Sequence, residues 1–315
     1  MTLQILENAL LMPVIAQQGR PRSGVFDANG NFIASSATVL SNGTPSPPPA
    51  PQKAEETLAG THLFAGLGRA HFGHFLLESI TRHWALAQQD VRSVLYARMP
   101  LVTLNLETGP LGGLHRALSG DVPAAVIRRP TRVERLVLPA QGFGHGALIK
   151  GIPEFRSFVR TRLQTAQPTG PRKLYIARSR LRRALQRVDL EELIEAQMRT
   201  AGYDIFYPER ASIEEQCRRY QAAELIVGAD GSAFHLAAFV ARPQTRVAIY
   251  LRRNRPEMLD RLYQQFRAFS GIEPVLIDCV LPRAEQLRLL PEGSKAPTPL
   301  NIKAILNRLK ETGFL

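Results

Sequence analysis

The sequence predicts an α/β protein in two halves, and three observations predict it. Between residues 173 and 278, five short apolar runs alternate with helical patterns, the rhythm of a parallel sheet covered on both faces. The first half carries apolar strand runs of its own, with a helical pattern over 71–89. Between the halves, residues 166–172 (AQPTGPR) gather turn formers between a helix and a new strand. A chain of 315 residues has room for two such cores. The expected organisation is an N-terminal α/β domain over 1–165, a second α/β domain over 172–290 and a final helix within 298–315 that packs back on the N-terminal half.

Taken in order, residues 23–35 read as a hairpin turning near Asn29-Gly30. Residues 41–51 (SNGTPSPPPAP) are a proline-rich loop, unable to form helix or central strand. A strand over 61–66 leads to HFGHFLLESITRHWALAQQ, where apolar residues recur at helical spacing. The spacing predicts one helix over 71–89, with Leu76, Ile80, Trp84 and Ala87 on one stripe. His71, His74, Glu78 and Arg82 form another, which is either a solvated face or a row of reactive groups. A strand over 91–97, a helix over 111–118 and strands over 124–128 and 133–138 follow. The loop GFGHG at 142–146 either approaches a ligand closely or simply turns. The helix over 153–164 opens on Pro153, a favoured first-turn residue. In the second half, strands over 173–177, 203–207, 224–228, 245–250 and 273–278 alternate with helices over 189–200, 212–223, 232–240 and 256–269. A basic amphipathic helix over 299–312 closes the chain.

The net charge of +13 favours anionic partners: nucleotides, phosphorylated sugars, acidic polysaccharide, nucleic acid or an anionic membrane face. Nucleic acid is the weakest of these, because aromatic residues are only 7% and no helix-turn-helix or RNA-binding signature occurs. Cys217 and Cys279 form no C-x-x-C pair and are expected to be buried thiols rather than a disulfide. The N-terminal stretch lacks the basic start of a signal peptide, and no apolar run approaches ~18 residues. A cytoplasmic protein is expected, with peripheral contact to the inner membrane face open through Lys303, Arg308 and Lys310 of the last helix.

In an open α/β sheet, ligands bind outside the carboxyl ends of the strands. Three second-half loops lie there. The first, RSRLRRALQR, brings Arg178, Arg182 and Arg183; the second, PERASIEE, leads to Glu215 and Gln216. The third is IVGADGSAFHLAAF, with Gly228, Asp230, Gly231 and Ser232 between an apolar run and a helix, where free backbone N–H groups can face an anion. Guanidinium groups for a pyrophosphate, an acid for ribose hydroxyls and N–H groups for an oxygen together suit a nucleoside diphosphate. Asp230 reads either as an N-cap or as a donor contact, and Glu215 either as the capping-box partner of Ser212 or as a ribose contact. No G-x-G-x-x-G fingerprint is present, so no dinucleotide cofactor is expected.

Three segments, HFGHFLLESITRHWAL, KLYIARSRLRRAL and YDIFYPERASIEEQCRRYQAAELIVGADGSAFHLAAF, together resemble the glycosyltransferase family 61 catalytic domain in order and spacing. The resemblance implies a GT-B-like fold of two Rossmann-like domains facing across a cleft. It implies an inverting transfer from a nucleotide-sugar donor, held by the C-terminal half, to a glycan or polysaccharide acceptor in cell-surface or capsular polysaccharide synthesis. No obligatory metal or other cofactor is implied. Glu78 occupies the family's acidic position and ranks first as base; His74 follows, as base or as the partner orienting Glu78, with His71 beside them. The spacing of His71, His74 and Glu78 permits a metal ion, but no outside ligand is indicated. Arg178, aided by Arg182 or Arg183 and the N–H groups around Gly231, should offset the leaving diphosphate. The chain departs from the family pattern at Asp230, where a His is usual, and at Ser232, where an Ala is usual. These departures keep two other readings in view: a non-catalytic anion-binding protein and an inactive relative.

Overall fold

The computed structural model describes residues 3–14, 19–182 and 187–315. The chain divides into two compact units, Met1–Leu163 and Gln164–Leu315, each with its own sheet.

The first unit holds six strands: β1 (Leu3–Met12), β2 (Gly24–Phe26), β3 (Glu56–Gly68), β4 (Ser93–Arg98), β5 (Ala124–Ile127) and β6 (Thr131–Pro139). They lie in the order β2-β1-β6-β3-β4-β5. The β6-β3-β4-β5 stretch is parallel, and β1 joins it antiparallel to β6. Inward residues such as Leu11, Val25, Phe64, Leu95, Leu136 and Leu138 form a buried core. The chain runs from β3 outward to β5 and then returns to the other side of β3 as β6, so the topological switch lies between β3 and β6.

The opening strand β1 is not legible from sequence periodicity, because its second half is buried on both faces. Ala9 and Leu11 lie in one core cluster and Leu10 and Met12 in another, so apolar residues run on without the period-2 alternation that would announce a strand. Asn8 takes a left-handed φ of 53°, which asparagine tolerates better than most residues, without shifting the pairing: Glu7 faces Arg135 and Ala9 faces Val133.

The single helix expected over 71–89 is not what forms. A short α1 (Phe72–His74) passes into a π-helical turn over Phe75–Ser79, and a 3₁₀ turn over His83–Ala87 follows; α2 (Gly109–Ser119) and α3 (Pro153–Leu163) come later in this unit. Side chains hold this irregular path. The Ser79 hydroxyl donates to Leu67 O at 2.6 Å and accepts from Arg69 N at 3.1 Å. Arg82 is wholly buried and donates to the carbonyls of Pro139, Ser35 and Ala37. The solvated-face reading therefore fails for Glu78 and Arg82, both at 0% exposure. Arg82 is tied into the core and is not available as part of a reactive row.

Behind this segment, Tyr96 Oη lies 2.8 Å from His83 Nε2 and 3.0 Å from His115 Nδ1, all three side chains buried. Burial, with His115 beside it, holds the pKa of His83 well below 6.5, and burial lowers that of His115 as well. Below about pH 6.5 the unfolded chain takes up protons that the folded chain refuses. Stability should fall on acidification by up to about 1.4 kcal/mol per pH unit for each such proton. Urea unfolding between pH 7.5 and 5.5 should show this, with a shallower slope in His83→Gln; an equal slope in both proteins removes the assignment.

The second unit is a five-stranded parallel sheet: β7 (Lys173–Ile176), β8 (Asp204–Phe206), β9 (Leu225–Ala229), β10 (Arg246–Tyr250) and β11 (Val275–Ile277), in the order β11-β10-β9-β7-β8. The helices that follow the strands are α4 (Glu191–Thr200), α5 (Ile213–Ala222), α6 (Ser232–Val240) and α7 (Glu257–Ser270). A short α8 (Arg283–Leu289) and the final α9 (Ile302–Glu311) close the chain. From Ala233 onward every residue of α6 is buried, which its small and apolar sequence permits. The switch of this sheet lies between β7 and β9, where the chain leaves β7 for β8 on one side and returns as β9 on the other.

The last helix corrects one expectation. Rather than crossing back onto the first half, α9 buries Ile305 and Leu309 in the second unit's core, with Tyr175, Met198 and Tyr203. Tyr203 Oη donates to Phe314 O at 2.7 Å and Arg246 donates to Thr312 O, fixing the C-terminus to the same sheet. The two cysteines are buried free thiols. Among the described residues, no helix is long and apolar enough to cross a membrane.

Candidate active site

In the first unit, the carboxyl ends of the neighbouring strands β3 and β6 bring one carboxylate and three cationic or imidazole groups together. Arg69 leaves β3 directly, Glu78 sits in the π-helical turn that follows, and His145 lies in the loop after β6. Glu78 Oε1 accepts from His74 Nδ1 at 2.8 Å and from His145 Nε2 at 3.0 Å, while Arg69 Nε donates to Oε2 at 2.5 Å. Burial opposes ionisation of Glu78, but the hydrogen bonds from His145 and His74 and the charge of Arg69 outweigh it and hold the carboxyl at about 2. The carboxylate is thus a strong acceptor and a weak base. With the carboxylate fixed as acceptor, both imidazoles must carry their proton on the nitrogen facing it.

The two histidines differ in access. His145 is 4% exposed, whereas the side chain of His74 is 42% exposed. Nδ1 of His74 faces Glu78, which leaves Nε2 as the nitrogen able to take a proton. The glycines of the GFGHG loop serve packing. Gly142 N donates to Thr81 O at 2.9 Å, and a methyl group on Gly142 would meet the Trp84 ring at 2.9 Å. Close seating on Thr81 and Trp84, just past the π-helical turn, brings the loop of His145 beside Glu78. The nitrogen and oxygen atoms of His74, Glu78 and His145 lie within 4.8 Å of one another, so this trio, rather than His71, His74 and Glu78, has metal-ligand geometry. The His71 ring stands edge-on to that of His74, with centroids 5.4 Å apart.

In the second unit, polar groups gather at the β7/β9 switch. Arg178 follows β7, Asp230 and Gly231 follow β9, and Arg252 and Arg253 follow β10. Gly231 is the N-cap of α6, and a methyl group there would collide with the Arg178 guanidinium, so the two pack in direct contact. Beneath them, Glu191 is fully buried and its Oε1 accepts from Arg178 N at 2.9 Å and Tyr175 Oη at 3.2 Å. Burial pushes the Glu191 carboxyl up to about 8, with the hydrogen bond from Arg178 N only partly opposing it.

Residues 72–248, more than half of the chain, match the family model described as glycosyltransferase 61. The chain belongs to the glycosyltransferase 61 family. No curated protein matches it. The family sets the class of activity, glycosyl transfer between a donor and an acceptor.

Within this glycosyltransferase 61 chain, the sequence-derived residues fall into three groups. Glu78 and His74 meet in one hydrogen-bonded unit, with His71 against His74. Arg178, Asp230, Gly231 and Ser232 meet at the second switch, Ser232 as the first residue of α6. The remaining residues stand elsewhere. Arg182 is exposed in the loop beyond Arg178, and Arg183 lies outside the described residues. The Glu215 carboxylate is held by Arg218 and Arg219, and its backbone N–H donates to Ser212 Oγ at 3.1 Å, the helix-start role. Gln216 is buried and donates to Pro208 O and Ala211 O. Gly228 lies inside β9, where a methyl group would stand 2.6 Å from Ile176 O. Its lack of a side chain lets β9 and β7 pair closely.

Asp230 corrects another expectation. Its side chain makes no cap hydrogen bond to α6. Instead Oδ1 accepts from Arg252 N at 2.8 Å, and the Asp230 carbonyl accepts from Arg252 Nε at 2.8 Å, tying the end of β9 to the segment after β10. Four residues were missed in the sequence: Arg69, His145, Arg252 and Arg253. The carboxyl-end rule could have found Arg252 and Arg253, since they follow the apolar run VAIYL directly. His145 had a weaker signal, a histidine inside a run of glycines.

Proposed function

We propose that the chain is an inverting glycosyltransferase that moves a sugar from a nucleotide-sugar donor to a glycan or polysaccharide hydroxyl, without an obligatory metal. The setting proposed is the cytoplasm, in cell-surface polysaccharide synthesis. The observation that carries the reading is the His74–Glu78–His145 trio at the carboxyl ends of β3 and β6, all three residues inside the family-matched segment.

His74, not Glu78, is the base in this scheme. Its Nε2 accepts the acceptor hydroxyl proton while the new bond forms at the anomeric carbon from the face opposite the leaving group. Glu78 fixes the tautomer and ring orientation of His74 through Nδ1–H and stabilises the imidazolium that results, as the buried acid of a serine-protease triad does for its histidine. His145 and Arg69 keep Glu78 ionised. The bond from the anomeric carbon to phosphate breaks with its electron pair moving to the diphosphate. Arg178, together with the N–H groups after Gly231, offsets that charge.

A thermal-shift screen against UDP-, GDP-, CMP- and TDP-sugars should raise the melting point for one donor class, since a ligand that binds only the folded form stabilises it. That donor should then be turned over in the presence of a glycan acceptor. Arg178→Ala should lose the shift. Turnover of no nucleotide sugar, or an unchanged shift in Arg178→Ala, would overturn the donor assignment.

A further inference from the structure

Arg252 and Arg253 stand where β10 ends, on the same edge as Arg178. Arg252 is only 6% exposed, and its Nη1 is buried with no hydrogen-bond partner; the Nε of Arg253 is buried and unmet in the same way. Arg252 Nε reaches the Asp230 carbonyl at 2.8 Å and stands 3.7 Å from its Oδ2. Asp230 is the carboxylate that acts on Arg178, Arg252 and Arg253 alike, and Arg178 and Arg252 repel each other across it. The other acid near Arg178 is Glu191, which burial keeps largely neutral at pH 7.

Three guanidinium groups thus face the Asp230 carboxylate in a desolvated corner. Such an excess of buried like charge is costly until an anion enters. Burial lowers Arg178 and Arg252 from the ordinary arginine range, Arg252 to about 9 with Arg178 adding to the effect. The nine-residue α6 begins at the same turn and aims its first N–H groups there. Guanidinium forks match phosphate oxygens in pairs, and three of them exceed what one phosphate takes up.

We propose that Arg252 and Arg253, with Arg178 and the Gly231 turn, form a cradle for two linked phosphates, so that the site selects nucleoside diphosphates over nucleoside monophosphates and retains the diphosphate after transfer. The inference rests on the donor reading above only for the word transfer; binding of a diphosphate does not require it. Both arginines lie beyond residue 248, outside the family-matched segment.

Isothermal titration of the full chain with inorganic pyrophosphate, inorganic phosphate, UDP and UMP tests the cradle. Pyrophosphate and UDP should bind at least ~10-fold more tightly than phosphate and UMP, a gap of about 1.4 kcal/mol or more. Arg253→Ala, at a half-buried position, should keep its melting point and lose most of that gap. Arg252→Lys keeps the charge without the fork and should weaken UDP several-fold. Equal affinity for mono- and diphosphates, or the same gap in both variants, overturns the proposal. Geranyl diphosphate offers the same phosphates on a lipid stem; if it binds more tightly than UDP, the nucleoside part is wrong. A chain that binds pyrophosphate through these arginines yet turns over no nucleotide sugar keeps the cradle and loses the transfer reading.

Discussion

Replacing His74 by alanine should lower the turnover of sugar transfer by roughly 10²–10⁴-fold, the usual contribution of a positioned general base. The side chain is 42% exposed, so the fold should tolerate the change and the melting point should move little. Donor affinity should not change, because the proposed donor contacts are on the second unit's strand ends. Glu78→Gln should also cost turnover, but by a different route. The amide oxygen can still accept from His74 and His145, but its NH2 group then faces the Arg69 guanidinium, donor against donor. It should therefore lose stability as well as rate, whereas His74→Ala should lose rate alone. Turnover within a few-fold of the parent in His74→Ala would remove His74 from the scheme, and a fully stable Glu78→Gln would contradict the triple acceptor role of the carboxylate.

The second large effect concerns Glu191. Its folded pKa of about 8 stands above the ordinary 4.5, so the folded state holds the proton more tightly than the unfolded one. Stability from this group is fully present below about pH 4.5 and is lost as pH rises through 8. The loss is on the order of 5 kcal/mol across that window, because each tenfold difference in proton affinity between the two states is worth about 1.4 kcal/mol. Glu191→Gln keeps an oxygen for Arg178 N and Tyr175 Oη but cannot ionise. At pH 9 it should be more stable than the parent by several kcal/mol, and at pH 5 the two should nearly coincide. Guanidinium denaturation at the two pH values decides the matter: a difference that does not depend on pH would mean that Glu191 is not titrating inside the fold.

Much of the second unit was legible because its rules are local. Each strand there is a short apolar run and each helix begins near a recognisable signal, so the βα alternation could be read without knowledge of pairing. The strand–glycine–helix passage around Gly231 is a case in point, since α6 spans the residues the pattern marks, Ser232–Val240. The first unit hides its organisation. In β1, Ala9 to Met12 are buried on both faces, so no alternation announces the strand. In the segment after β3, apolar spacing fits a regular helix, but Ile80 N bonds to Phe75 O, five residues back, and the helix does not continue. No periodicity argument detects that widening.

The candidate site was legible to the extent that its chemistry is local. His74 and Glu78 are four residues apart, and their pairing could be guessed. His145 is 67 residues from Glu78 along the chain and meets it only because β6 lies beside β3. In the proposed scheme Glu78 yields the role of base to His74 on a ground invisible in sequence: a sequence shows a carboxylate but not the three donors that hold it near pKa 2. For Glu215 the helix-start alternative is the one seen, with its N–H on Ser212 Oγ and its carboxylate held by Arg218 and Arg219.

The widened turn over Phe75–Ser79 carries one extra residue relative to an α-helical path. Removing any one residue upstream of Glu78 in that turn would let the helix close normally, and every later side chain would rotate by about 100° around the axis. The acid would then leave its imidazole neighbours without a single change in the amino acids that contact it. Length is therefore a constraint here as strict as identity: an indel within this stretch would silence the chemistry while sparing the sheet.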